Sequence, residues 1–368
     1  MINFELDDDQ KLIRETVAAF AAEQIRPAAR AADESGVIPP ELVAKGHELG
    51  LVRGAIPEAY GGYGDARSAV TGAIVMEELA WGDLAIAVHL LAPRLLVTPL
   101  IEAGGAPLQQ RWLPPLAQDQ FVAATAALNE PRFDFDPAAM KTVARREGQD
   151  FVLSGVKCCV PLAQESSALL VYASGGSEGF DAVEGFVIGR ETPGLEISPR
   201  EENMGLKGVA TYTLTLNDCR VDRSARLGGE SGLNFTRLLS ESRVAIAAMA
   251  VGVARAAFEY ARDYARERKA FGVPIATKQA IAFMLAEMAI EIDAARLLVW
   301  EAAARLDKGE NGLKESYQAR NYAAQAALTV TDNAVQVLGG HGYIREHPVE
   351  MWLRNARGFA VLEGLATV

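Results

Sequence analysis

The sequence predicts an α+β multidomain chain: an N-terminal helical domain, a central antiparallel β-domain and a C-terminal helical domain, in that order. Three observations carry this. Apolar residues recur at helical spacing over the first third, short runs of β-formers broken by Gly, Ser, Asp and Pro fill the middle, and long alanine-rich helical patterns return after Gly228-Gly229. The texture changes near Phe121 and again at that glycine pair, which sets the domains at 1–120, 121–228 and 229–368.

Behind the acidic Asp7, Asp8 and Asp9, the residues Leu12, Ile13, Val17, Phe20 and Ile25 predict a first helix that Pro27 ends or bends. Pro39 and Pro40 open a short second helix closing between Gly46 and Gly50. Residues 66–81 and 84–103 read as two more, parted by Gly82-Asp83. In the middle third, residues 151–153, 169–172, 186–188 and 195–197 read as strands. The clearest strand is 211–216, where Tyr212, Leu214 and Leu216 alternate with Thr213 and Thr215, as in a half-buried antiparallel strand. Three long helices follow. The first, 235–268, carries Ala247, Ala250, Ala254, Ala257 and Ala261, small enough for helices to approach closely. The second, 278–306, is expected to bury Ile281, Met284, Leu285, Met288, Ile292 and Ala295 and to turn Glu287 and Glu291 outward. The third covers about 314–338, and no internal repeat is visible.

Composition narrows the function. With 368 residues, half of them hydrophobic and 23% charged, the chain reads as soluble and globular, with interior enough to keep water from a reaction. A net charge of -12 disfavours nucleic acid and anionic membrane surfaces as partners. The three cysteines include the adjacent Cys158 and Cys159, which points to a reducing compartment and hence the cytoplasm. Both are expected to act as small buried apolar residues. The amino terminus lacks a secretion signal, and no uninterrupted apolar run reaches the roughly 20 residues of a membrane span. Strands do not alternate with helices, and the Gly-x-Gly-x-x-Gly, P-loop and His-Glu-x-x-His patterns are missing. His47, His89, His341 and His347 show no ligand spacing, so no metal is expected.

Several strings are specific. Arg268-Lys269-Ala270-Phe271-Gly272-Val273-Pro274-Ile275-Ala276-Thr277-Lys278-Gln279 leads into Met284-Leu285-Ala286-Glu287-Met288-Ala289. Gln336-Val337-Leu338-Gly339-Gly340-His341-Gly342-Tyr343 and Glu346-His347-Pro348-Val349-Glu350 follow, then Arg354-Asn355-Ala356-Arg357 through Leu362-Glu363-Gly364. Earlier segments join them: Ile56-Pro57-Glu58-Ala59-Tyr60-Gly61-Gly62, Glu77-Glu78-Leu79-Ala80 and Met204-Gly205-Leu206-Lys207-Gly208. Over essentially its whole length the chain resembles the acyl-CoA dehydrogenase family, in the medium- and short-chain branch. That resemblance implies a C-terminal four-helix bundle, FAD as cofactor, an acyl-CoA substrate and electron transfer to an electron-transferring flavoprotein.

By the same resemblance, Arg268, Phe271, Gln279, Gln336, Gly339 and Gly340 match positions that contact the phosphate and adenosine part of FAD. A guanidinium fork suits a pyrophosphate, and glycines let backbone approach a cofactor. Glu363 matches the base that removes the α-hydrogen while the β-hydrogen leaves as hydride to flavin N5. Its neighbours Val361, Leu362 and Leu365 are apolar, so the carboxylate is expected to be partly desolvated. Gly364 matches a substrate-contacting glycine. Arg243 matches a residue near bound CoA and could equally be a structural ion-pair partner. Another branch carries its base where this chain has Ser242, which cannot serve, and Glu241 is a distant second choice.

The chain also departs from the family pattern. Where Thr-Glu-Pro-x-Ala-Gly-Ser-Asp is usual, it has Asn129-Glu130-Pro131-Arg132-Phe133-Asp134-Phe135-Asp136, so Phe133 and Phe135 are expected to alter or obstruct the flavin pyrophosphate and CoA contacts. Asn129 can still bond a flavin edge. Trp-Ile-Thr is replaced by Cys159-Val160-Pro161, and proline offers neither hydroxyl nor N–H. Glu363-Gly364 is followed by Leu365 instead of threonine, and the sequence stops at Val368, before the family's usual terminal helix. The leading expectation is an active dehydrogenase. The alternative is a weak or inactive partner subunit that contributes to a neighbour's FAD site, in a homotetramer or a heterotetramer with a related subunit. A changed reaction at the flavin is a third reading that no residue demands.

Overall fold

The computed structural model describes residues 5–64, 67–360 and 363–368. Helix α1 (Asp8–Phe20) begins with a capping box, the Asp7 carboxylate accepting from Gln10 N while the Gln10 side chain accepts from Asp7 N. Pro27 does not end this segment. The backbone widens into a π-helical turn at Ala21–Ile25, and α2 (Arg26–Ser35) continues with Pro27 in its first turn, where no N–H is required. Next come α3 (Pro40–Glu48), α4 (Ala69–Gly82), α5 (Leu84–Leu91), α6 (Arg94–Ala103) and α7 (Gly105–Leu116). The stretch read as one helix over 84–103 is therefore two, bent by 42° between α5 and α6, next to Pro93. Helix α7 escaped the sequence reading because it opens at glycine and carries Pro114 and Pro115 in its last turn.

The middle of the chain forms one curled sheet in the order β1-β4-β2-β3-β7-β6, with β5 also on β4. Its strands are β1 (Ala124–Ala127), β2 (Val143–Glu147), β3 (Asp150–Pro161), β4 (Ala168–Ser174), β5 (Val183–Gly189), β6 (Leu195–Ile197) and β7 (Thr211–Val221). Pairing is antiparallel except where β4 meets β1 and, at one bridge, β2. Tyr212, Leu214 and Leu216 are buried between half-buried Thr213 and Thr215, as their alternation requires. Strands β1 and β2 were not legible, the first being alanine-rich and the second mostly charged.

After the sheet, α8 (Phe235–Glu267), α9 (Gln279–Asp307) and α10 (Leu313–Leu338) run up, down and up, with α12 (Val349–Ala356) packed on α8 and α10. A small β8–β9 hairpin (Lys269–Ala270, Val273–Pro274) links the first two, and α11 (Gly340–Tyr343) follows the third. Helix α8 is long and apolar enough to cross a membrane, but 78% of that apolar window is buried in the fold. Its alanines at the predicted positions are all buried. Gly252 is required there, because a Cβ would lie 2.2 Å from the Glu77 carbonyl oxygen of α4. Glu77 and Glu78 are buried at this crossing and are held by Arg255, with Arg296 also on Glu77. Burying the carboxylates without those partners would cost several kcal/mol each (order of magnitude ~3–5).

Candidate active site

Four segments meet around Glu363. Helix α8 supplies Ser242 and Arg243, α10 supplies Arg320, the end of β1 runs on to Asn129, and residues 363–368 enter the interior. Glu363 is only 8% exposed. Its Oε1 lies 3.4 Å from both Nε and Nη2 of Arg243, and 3.7 Å from Arg320 Nε. Its Oε2 is buried with no hydrogen-bond partner, as is the Ser242 hydroxyl. Burial strips water from the carboxylate, as expected, and the two guanidinium groups compensate. Of the apolar neighbours anticipated, Leu365 is buried, while Val361 and Leu362 lie outside the described residues.

Asn129 binds the peptide of Glu363 rather than standing free. Its Nδ2 donates to the Glu363 carbonyl, and its Oδ1 accepts from Glu363 N at 3.1 Å. The residues beside it are fixed from below by Lys157, which is fully buried and donates from Nζ to Leu128 O at 3.0 Å and Glu130 Oε1 at 3.2 Å. Burial pushes Lys157 down to about 8 against the pull of Glu130. Burial works to raise the Glu130 carboxyl, but Lys157 and the Lys141 and Thr142 N–H groups hold it below its ordinary value. Gly364 has φ 68°, and a Cβ there would meet the Leu128 side chain at 2.8 Å, so only glycine turns the chain inward at this point.

Glu241 does not share this site. It pairs with Arg67 at 2.9 Å and Arg237 at 3.2 Å, and burial raises its carboxyl. Arg243 is seen paired with Glu363. Arg320 was missed, although it continues the buried register of Ser316, Ala319, Ala323 and Ala327 on an otherwise small-residue face.

The space beside Glu363 is walled by the chain's own last residues. A cavity of about 30 Å³ touches Leu95, Tyr172, Phe235, Ser242, Gly364 and Ala366. A second, of about 200 Å³, touches Cys159, Asn203, Gly205, Thr211, Asn355 and Leu365. Phe133 fills neither, being fully exposed at its loop tip, and Phe135 is half-buried against the cluster that joins α6, α7 and the sheet. Cys158 and Cys159 are half-buried, not fully buried as anticipated, because Cys159 sits at φ 55° where β3 bulges against β7. The hydrogen bond between the two thiols lowers Cys158 and raises Cys159.

At the far end of the bundle lie Arg268 at the C-cap of α8, Phe271 in the hairpin, Gln279 at the start of α9, and Gln336, Gly339 and Gly340 at the end of α10. All are exposed, Phe271 by 96%. The Tyr264 hydroxyl to His341 Nδ1 contact, 2.8 Å, ties α8 to the turn after α10. Nothing lies within 4 Å of a Cβ built on Gly339 or Gly340, so backbone there is open to a ligand. Among the described residues no three His, Cys, Asp or Glu side chains gather to hold a metal ion.

Residues 7–120, 125–219 and 232–368 match the N-terminal, middle and C-terminal domains of acyl-CoA dehydrogenases. The mitochondrial short-chain specific acyl-CoA dehydrogenase of Rattus norvegicus is 34% identical over 99% of this chain and 89% of its own length. Butyryl-CoA dehydrogenase of Megasphaera elsdenii superposes with a TM-score of 0.88 at 28% identity, covering 100% of this chain and 96% of that one. A chain from the structure of the electron-transferring flavoprotein of Acidaminococcus fermentans does so with a TM-score of 0.88 at 30% identity, covering 100% and 96%. The fold and site define a flavoprotein oxidoreductase acting on CH–CH groups. The chain belongs to the acyl-CoA dehydrogenase family, whose members bind FAD.

Two features of the structure fit that cofactor: the open glycine backbone beside Arg268 and Gln336, and the unpartnered Glu363 Oε2 and Ser242 hydroxyl in the interior. Lined largely by apolar surface, the 200 Å³ cavity reaches within two residues of Glu363 through Leu365.

Proposed function

We propose that this protein dehydrogenates an acyl-CoA thioester between its α and β carbons, with Glu363 taking the α-proton. One observation carries the assignment of the base. Glu363 Oε1 is oriented by Arg243 and Arg320 while Oε2 is buried without a partner, so one oxygen is fixed and the other is free to accept a proton. Asn129 sets the backbone position of that carboxylate, and Lys157 in turn sets Asn129. Gly364, packed against Leu128, would contact the thioester through its backbone. FAD, when bound, supplies the hydride acceptor. Arg268, Phe271, Gln279, Gln336, Gly339 and Gly340 would hold its phosphate and adenosine part, and Asn129 has one N–H and one lone pair left for the flavin edge. The electrons pass to an electron-transferring flavoprotein, and the enzyme works in the cytoplasm as a homotetramer or as a heterotetramer with a related subunit.

A specific observation favours a second reading, a partner subunit that completes a neighbour's FAD site. The adenosine-side groups are exposed, whereas Asn129 and residues 364–366 already occupy the interior. The visible spectrum of the chain purified alone separates the two. Yellow protein bleached by an acyl-CoA, with Glu363→Gln keeping the colour and losing the bleaching, supports dehydrogenation. Colourless protein supports the partner role, and full bleaching in Glu363→Gln excludes Glu363 as base.

A further inference from the structure

Strand β3 pairs with β7 through Lys157 on Leu214 and again through Val160 on Tyr212, and Cys158 and Cys159 fall in the bulge between. In a regular strand neighbouring side chains point to opposite faces. Here the bulge, with Cys159 at φ 55°, brings the two thiols together, and they share a hydrogen bond. Both are half-buried, so a small reagent in solution reaches them. The backbone around them is fixed within the middle domain. Cys158 N donates to Asn129 O at 3.0 Å and Cys159 N to Glu201 Oε1 at 3.2 Å, while Glu201 also accepts from the hydroxyls of Thr211 and Thr213, each at 2.8 Å. The two thiols are not equivalent. Cys159 donates the shared hydrogen bond, which lowers Cys158 and raises Cys159, so Cys158 is the nucleophile of the pair and Cys159 keeps its proton. The third cysteine, Cys219 on β7, is fully buried, and burial raises its thiol.

We infer that Cys158 and Cys159 form a reversible oxidation site for hydrogen peroxide, closing to a vicinal disulfide. The Cys158 sulfur attacks one peroxide oxygen, the O–O bond breaks, and Cys158 becomes a sulfenic acid as the other oxygen leaves with the thiol proton as water. The Cys159 sulfur then attacks that sulfur, the S–OH bond breaks, and the departing hydroxide takes the Cys159 proton as a second water. The two thiols together lose two electrons, and the peroxide gains them. A ring closed between adjacent residues is strained, and strained disulfides are the easily reduced ones, so a dithiol restores the pair. The Cys158 peptide is bonded to Asn129, which holds the peptide of Glu363, so closing the ring acts on the residue that mounts the base, a consequence that rests on the function proposed above.

The test is exposure of the whole protein to hydrogen peroxide, followed by thiol titration and intact mass. The native protein is expected to lose two of its three thiols, and two hydrogen atoms within one chain, and to recover both in dithiothreitol. In Cys159→Ser the reaction should stop at the sulfenic acid, which dimedone captures on Cys158, and in Cys158→Ser thiol loss should be roughly tenfold slower or more. Retention of all three thiols by the native protein, or a disulfide joining two chains, overturns the proposal, and neither result needs a variant to fold. Equally fast thiol loss in folded Cys158→Ser also overturns it. No readout involves flavin or an acyl-CoA, so failure here leaves the dehydrogenase reading standing, and failure of that reading leaves the thiol site standing.

Discussion

At the end of the bundle, Arg268, Gln279, Gln336 and Gly340 stand in solvent with their binding groups uncommitted. Around Glu363 the opposite holds: Asn129, Arg243 and the half-buried Arg320 engage Glu363, and the buried Lys157 engages Leu128 O and Glu130 on either side of Asn129. The first region is a surface that awaits a ligand, and the second is an interior whose polar groups have been balanced in advance. The difference predicts that substitutions will separate. Changes at the surface will alter cofactor retention and leave the fold alone, whereas changes in the interior will alter chemistry or stability.

The largest expected effect is at the base. Glu363→Gln keeps the shape and the Asn129 contacts, which use only the peptide, but cannot take a proton. Reduction of bound flavin by an acyl-CoA, followed by stopped-flow absorbance, is expected to slow by roughly a hundredfold to ten-thousandfold. A loss below tenfold would place the proton elsewhere.

Next is the floor beneath Asn129. Glu130→Gln leaves the Lys157 ammonium buried without its carboxylate, a change worth about 3–5 kcal/mol in urea denaturation. Lys157 lies at about 8 in the folded protein, below its ordinary 10.5, so the folded state holds fewer protons between those values and this group adds stability as pH rises through them. Without Glu130 the variant gives up the Lys157 proton at lower pH than the native protein, so the Glu130→Gln defect should shrink as pH rises toward about 8 and level off above it. A defect independent of pH would contradict the assignment.

At the surface, Arg268→Ala is expected to weaken FAD retention roughly tenfold to a hundredfold, measured by cofactor loss on dilution, with no change in the denaturation midpoint of the cofactor-free chain. A lower midpoint would mean that Arg268 supports the fold instead.

The smallest effect lies outside both regions. Asp83 is buried at the N-cap of α5, where its Oδ1 accepts from Ile86 N, and burial raises its carboxyl to about 6. The folded state thus holds more protons than the unfolded one between 3.8 and about 6, and the stability this group contributes is lost as pH rises through that window. Asp83→Asn caps as well without the charge, so it should match or exceed the native protein above pH 6, while Asp83→Ala should lose about 1 kcal/mol.

How much was legible follows the same division. The surface groups lie in contiguous strings, and those strings can be read along the chain. The helix, sheet, helix order came from periodicity alone. The interior could not be read that way, because Arg320 and Asn129 reach Glu363, and Lys157 reaches Leu128 and Glu130, across long stretches of sequence. Pro27 was expected to end or bend the first helix, but a π-helical turn carries the chain on through it, whereas the stripe of Leu12, Ile13 and Val17 did mark α1. Phe133 was expected to alter or obstruct the flavin pyrophosphate and CoA contacts; it stands fully exposed on a loop anchored by Arg132 on Ala139 O and by Glu130 on Lys141 N.

The central claim is that Glu363 exchanges a proton with the α-carbon of an acyl-CoA. The direct measurement is anaerobic incubation of the holoprotein with a saturated acyl-CoA in D2O, followed by mass spectrometry of the recovered thioester. Deuterium should enter at the α-carbon with native protein and not with Glu363→Gln. Equal incorporation in both, or none with a native protein that binds the thioester, would contradict it.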